Sequence, residues 1–120
     1  MLQKIWYKIT TNAILIYCFV GKHGLGWGKR NTPEMKMLTI LFYIQGLVLS
    51  KYLAKQPSSF WQNKRILEVG SGTGLVGIAV GSLGASLTIT DLEPQVNLIK
   101  ENIELNKHLL NDTKAEILAW

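Results

Sequence analysis

A chain of 120 residues that is 48% hydrophobic and 18% charged has room for one globular domain with a core, and no more. Its single cysteine, Cys18, excludes an intramolecular disulfide framework, and no Cys/His spacing suits a zinc site, so a reduced, cytoplasmic setting and no metal are expected. The net charge of +5 is lopsided: residues 1–60 carry eight Lys or Arg against one acid, Glu34, whereas residues 61–120 carry five against seven. The basic residues of the first half (Lys4, Lys8, Lys22, Lys29, Arg30, Lys36, Lys51, Lys55) are scattered rather than run together, which reads as a solvated surface and not a nucleic-acid interface.

In chain order, residues 1–20 begin with Lys4 and Lys8 and turn apolar from Ala13 to Val20. That pattern reads as a buried strand, with a secretory signal or anchor as the second reading. Against the second, no small-residue cleavage site follows, and the run falls short of the ~20 apolar residues of a membrane span. Residues 21–34, G-K-H-G-L-G-W-G-K-R-N-T-P-E, are a loop by composition, and their G-x-G-x-G lacks the Lys-Ser/Thr of a phosphate loop. Residues 35–55 are largely apolar from Met37 to Ser50 and are interrupted by Gly46. From Leu47 onward Leu47, Val48, Tyr52 and Leu53 share one helical face, predicting an amphipathic helix of about 10 residues that ends at the breaker Gln56-Pro57-Ser58-Ser59.

Arg65 to Gly77, R-I-L-E-V-G-S-G-T-G-L-V-G, is the most informative stretch. Ile66, Leu67 and Val69 predict a strand over 65–69, glycine then recurs at 70, 72 and 74, and the helical pattern of 75–83 follows. Ser86–Thr90 alternates as a second strand with Asp91 at its end. Glu93-Pro94 opens a further helix with Val96, Ile99, Ile103 and Leu110 on its apolar face, and Lys114–Leu118 reads as a third strand. Strand–helix–strand–helix–strand implies a parallel sheet in an α/β fold.

Such a fold places a ligand at the carboxyl ends of its strands. The glycines allow close backbone approach there, and a carboxylate at Asp91 can accept hydrogen bonds from both hydroxyls of a ribose. Read from Gly72, the sequence also satisfies the dinucleotide fingerprint G-x-G-x-x-G, with Asp91 nineteen residues on. Two features argue against a pyrophosphate. The glycines start two residues earlier, at Gly70, and the acid Glu68 sits in the strand's end, where added negative charge favours a cationic ligand. The sulfonium and ammonium of S-adenosylmethionine meet that description.

The stretches E-V-G-S-G-T-G-L-V-G-I-A, T-I-T-D-L-E, L-I-K-E-N-I-E-L-N-K-H-L and A-E-I-L-A-W, preceded by G-L-V-L-S-K-Y-L, resemble the seven-strand protein-lysine methyltransferases of the methyltransferase-like 21 group. Within that group the closest likeness is to the branch that methylates valosin-containing protein. The resemblance runs from Tyr43 to Trp120 and implies two parts: residues 1–42, of unassigned fold, and residues 43–120, a partial S-adenosylmethionine-binding domain. It implies a Rossmann-like, doubly wound parallel sheet of class I methyltransferase type, truncated after the third strand. Gly70, Ser71 and Gly72 would line the methionine and ribose, Asp91 would hold the ribose hydroxyls, Trp120 would lie against adenine, and Tyr43 would stand in for a family tryptophan.

No catalytic residue is assigned, because the D-x-x-Y strand of the family has no counterpart in this sequence. The activity implied is methyl transfer to a lysine of a protein substrate, a chaperone-like ATPase, in a longer parent of which this chain is a fragment or short form. The alternative from another class is a non-catalytic module that holds cofactor or pairs its edge with a partner strand, and a nicotinamide-dependent oxidoreductase fragment comes third. In the family the first strand is flanked by the second and the fourth. With no fourth strand, residues 65–69 are expected to be an open apolar edge prone to pairing or aggregation, and helices are expected on both faces of the sheet.

Overall fold

The computed structural model describes residues 6–9, 13–17 and 33–119, with side chains from Ile44 to Ala119. The described elements are strands β1 (Trp6–Ile9) and β2 (Ala13–Tyr17), helix α1 (Pro33–Ala54), a one-turn helix α2 (Ser58–Trp61) and strand β3 (Arg65–Val69). Helix α3 (Leu75–Gly81), strand β4 (Ser86–Asp91), helix α4 (Glu93–Asn106) and strand β5 (Thr113–Ile117) complete them, with a short 3-10 turn at Lys107–Leu109. The five strands form one sheet in the order β1-β2-β3-β4-β5. β1 and β2 are antiparallel, and every later neighbour is parallel.

The α/β Rossmann-like reading is therefore met, and the three later strands fall within a residue of their expected ends. The expectation of an open edge at residues 65–69 is corrected. β2 pairs with β3 along its whole length, from Ala13 opposite Arg65 to Tyr17 opposite Val69, on the side away from β4. A parallel strand left unpaired would expose a row of N–H and C=O groups. The β-favouring run Ala-Ile-Leu-Ile-Tyr of β2 satisfies them from within the chain. The strand reading of residues 13–20 holds for Ala13–Tyr17, and Cys18 to Val20 lie outside the described residues.

The crossovers from β3 to β4 and from β4 to β5 step in the same direction across the sheet, so two crossovers of one hand place α3 and α4 on the same face. The packing agrees: Ile66, Leu87 and Ile89 of the strands share a single core with Val76 and Val80 of α3 and Ile99 of α4. The described helices thus form one layer rather than the two expected. Residues of the other face, such as Leu67 and Thr88, do not belong to that core. The outer strand β5 carries Lys114 and Glu116, paired at 2.6 Å, on this second face, charges that blunt an exposed edge.

Helix α1 corrects another expectation. It runs unbroken through Gly46 for 22 residues instead of beginning near Leu47. Gly46 faces α3, where an added Cβ would sit 3.8 Å from Leu75 and 3.9 Å from Val76, so the two helices approach closely at that point. Ser50, one turn on, returns its hydroxyl to the Gly46 carbonyl at 2.7 Å. Trp61 of α2 is almost wholly buried, and its indole N–H donates to the Leu53 carbonyl at 3.2 Å, which closes the end of α1 over the sheet. Among the described residues no helix is long and apolar enough to cross a membrane.

Candidate functional site

β3 ends at Val69, and the backbone then turns through Gly70, Gly72 and Gly74 with φ of 69°, 63° and 80°. This left-handed conformation costs a residue with a Cβ about 1–2 kcal/mol, which explains glycine at every second place. The glycines differ in what surrounds them. A Cβ on Gly72 would meet nothing within 4 Å, so the turn faces open space there, whereas one on Gly74 would press on Ile99 at 3.3 Å.

The carboxyl end of β4 meets this turn, as the spacing of Gly70 and Asp91 predicts. Gly72 N–H donates to Asp91 Oδ2 at 2.6 Å, Leu92 N–H donates to Oδ1 at 2.7 Å, and the Asp91 residue is only 7% exposed. Ser71 N–H donates to the Thr90 carbonyl at 3.2 Å, while Thr90 Oγ1 donates back to the Glu68 carbonyl at 2.7 Å. Each Asp91 oxygen has accepted one hydrogen bond, and a carboxylate offers about four acceptor positions, so it retains capacity for further donors. Ser71 Oγ is buried without a partner, a hydroxyl placed at the turn with its hydrogen-bonding capacity unused.

Glu68 is placed differently from its neighbours. It is fully buried between β3 and α3, and its Oε2 accepts Gly77 N–H at 2.9 Å. Gly77 is the third residue of α3, so the carboxylate satisfies one of the N–H groups that a helix start leaves without an internal partner. Tyr43 lies on α1, but its side chain is outside those described, and Trp120 lies outside the described residues. The structure thus gathers Gly70, Ser71, Gly72 and Asp91 at one place and sets Glu68 behind them.

Two further residues hold the turn. Asn102 of α4 donates its side-chain amide to the Thr73 carbonyl at 2.8 Å. Gly77 gives up its Cβ position entirely: an added Cβ would run into Glu68 Oε2 and lie 2.8–2.9 Å from Ile89. For Gly77 the G-x-x-G spacing after Gly74 was a signal. For Asn102, a polar residue among the solvent-facing positions of α4, there was none.

Comparison with known proteins agrees with this geometry. The sequence profile described as "lysine methyltransferase" matches residues 23–120. Among curated proteins the chain is 36% identical over 74 residues to EEF1A lysine methyltransferase 3 of Xenopus tropicalis, covering 62% of this chain and 33% of that protein. It is 49% identical over 45 residues to protein N-lysine methyltransferase METTL21A of Danio rerio, covering 38% of this chain and 21% of the relative. It is 42% identical over 78 residues to calmodulin-lysine N-methyltransferase of Arabidopsis thaliana, covering 61% and 25%. The chain therefore spans a third or less of the length of these relatives. With the glycine turn, the strand-end acid and a profile match over most of its length, the chain belongs to the lysine methyltransferase family.

Proposed function

We propose that this chain is the cofactor-holding part of a protein-lysine methyltransferase and that it binds S-adenosylmethionine at the turn Gly70–Gly74. The observation that carries the reading is Asp91. Its buried carboxylate is fixed by Gly72 and Leu92 N–H at 2.6 and 2.7 Å beside a glycine turn that opens onto free space at Gly72. A ribose presents two neighbouring hydroxyls, and Asp91 has acceptor capacity left for both. Ser71 Oγ supplies a further group whose partner would come from the ligand. The donor set thus fits a ribose-bearing cofactor.

When bound, S-adenosylmethionine supplies an electrophilic methyl group on a sulfonium. The chain's own part is to bind and orient: Asp91 takes the ribose, Gly70, Ser71 and Gly72 flank the methionine side, and Glu68 holds α3 against β3 behind them. On the family resemblance, Trp120 would lie against the adenine and Tyr43 would stand in for a family tryptophan. Transfer to a lysine demands mainly alignment of a neutral amine with the methyl, so a rigid cradle is a large share of the machinery. The substrate proposed is a lysine of a cytoplasmic protein of the chaperone-like ATPase class, on the motif likeness to the branch that methylates valosin-containing protein.

A second reading is a module that holds cofactor without turnover; its edge-pairing form loses its footing, because β2 covers the β3 edge from within this chain. The two separate in a transfer assay with methyl-labelled S-adenosylmethionine and a proteome extract. Label in methyllysine supports the enzyme, cofactor binding without transfer supports the module, and label in other residues overturns the lysine assignment. Asp91→Asn removes the charge and offers an NH2 where Gly72 or Leu92 donates. Affinity for S-adenosylhomocysteine is expected to fall about 10-fold or more, measured by calorimetry.

A further inference from the structure

We propose that Asn102, on the third turn of α4, is a positioning residue that holds the apex of the glycine turn in the shape that receives the cofactor. The proposal rests on the S-adenosylmethionine reading above and extends it to α4, which bonds to the turn from outside it.

The turn is fastened unevenly. Its first half is tied to β4, through Ser71 N–H to the Thr90 carbonyl at 3.2 Å and Gly72 N–H to Asp91 at 2.6 Å. Among the described residues its second half is tied within the turn, Gly74 N–H donating to the Ser71 carbonyl at 3.2 Å, and not to a strand. Thr73 is exposed and stands between Gly72 and Gly74, both at positive φ, so the peptide units on either side of it have wide rotational freedom. Across 29 residues of sequence, Asn102 Nδ2 donates to the Thr73 carbonyl at 2.8 Å and, together with the Gly74 N–H bond on the other side of the same peptide, sets which way that peptide points.

The helix that carries Asn102 is itself anchored. Val96 and Ile99 are buried, and Ile99 reaches the underside of the turn at Gly74. α4 also starts at Glu93, two residues after Asp91, so one rigid element sets the acid at its beginning and the turn's apex three turns on. A turn ordered before the ligand arrives loses less conformational entropy on binding. Because the Asn102 bond is solvent-exposed, its share of overall stability is small, which makes positioning separable from folding.

The test is titration of S-adenosylhomocysteine into the wild type, Asn102→Asp, Asn102→Ala and Asn106→Ala, with thermal unfolding and amide hydrogen exchange of Thr73 and Gly74 on each free protein. Asn102→Asp keeps the shape and removes the donor. Asn106 Nδ2 donates to the backbone carbonyl of Asn102 and, among the described residues, does not bond to the turn, so it is the control. Both Asn102 variants are expected to bind about three- to tenfold more weakly, with faster exchange at the turn, a Tm within about 4 °C of wild type, and Asn106→Ala unchanged in affinity. Wild-type affinity in Asn102→Asp, or weakening that only tracks Tm across all variants, overturns this proposal alone. Failure of the wild type to bind S-adenosylhomocysteine overturns the cofactor reading together with it.

Discussion

Gly77→Ala is expected to destabilise the fold by about 3–5 kcal/mol. An added methyl would enter the space of Glu68 Oε2 and lie 2.8 and 2.9 Å from Ile89, and both neighbours are fully buried. Overpacking of this kind costs about 1–3 kcal/mol. Moving the Glu68 carboxylate also strains its bond from Gly77 N–H at 2.9 Å, and a buried donor left short of its acceptor costs about 1–3 kcal/mol. Against a typical total of about 5–15 kcal/mol, that loss brings the chain close to unfolding. Gly46→Ala is the internal contrast. Its methyl would make ordinary contacts at 3.8 and 3.9 Å and replace glycine within a helix, so stability should stay level or rise by up to about 1 kcal/mol. Urea denaturation followed by circular dichroism measures both, and a Gly77→Ala midpoint equal to wild type would contradict the packing described.

Deletion of residues 1–17 should have the larger consequence for solution behaviour. β2 contributes the whole row of partners on one side of β3, and without it the backbone of residues 65–69 faces solvent beside an apolar sequence. Such an edge invites pairing with another chain. The truncated protein is expected to associate, read by light scattering, and to lose hydrogen-exchange protection at residues 65–69 while α4 keeps its own. A peptide of residues 1–19 added in trans should restore that protection, which separates loss of the strand from general misfolding. A monomeric truncated chain with unchanged protection at 65–69 would show that β2 does not hold that edge.

What could be read from the sequence is what local chemistry determines. Alternating β-branched residues define β4, glycine at every second place requires the left-handed turn, and Glu93-Pro94 sets the start of α4. The meeting of Asp91 with Gly72 was legible because two strands joined by one crossover place their carboxyl ends side by side. The remainder depends on tertiary contacts. Nothing in Ala13–Tyr17 states which strand it pairs with, since parallel pairing is a long-range choice made by the whole sheet. Gly46 looked like a helix interruption, whereas its reason is the approach of α1 to α3. Glu68 reads as a ligand contact because negative charge at the strand's end favours a cationic ligand, whereas its bond from Gly77 N–H, which ties it to α3, could be seen only in the fold. Glu68→Gln consequently reports on the β3–α3 junction as well as on ligand choice.

The central claim is that the turn Gly70–Gly74 and Asp91 form a cradle for S-adenosylmethionine within this chain. Calorimetric titration of the purified protein with S-adenosylmethionine, S-adenosylhomocysteine and NAD tests it most directly. The predicted result is one-to-one binding of the first two, and none of NAD. A chain that unfolds cooperatively yet binds neither methionine-derived ligand, or that prefers NAD, would contradict it.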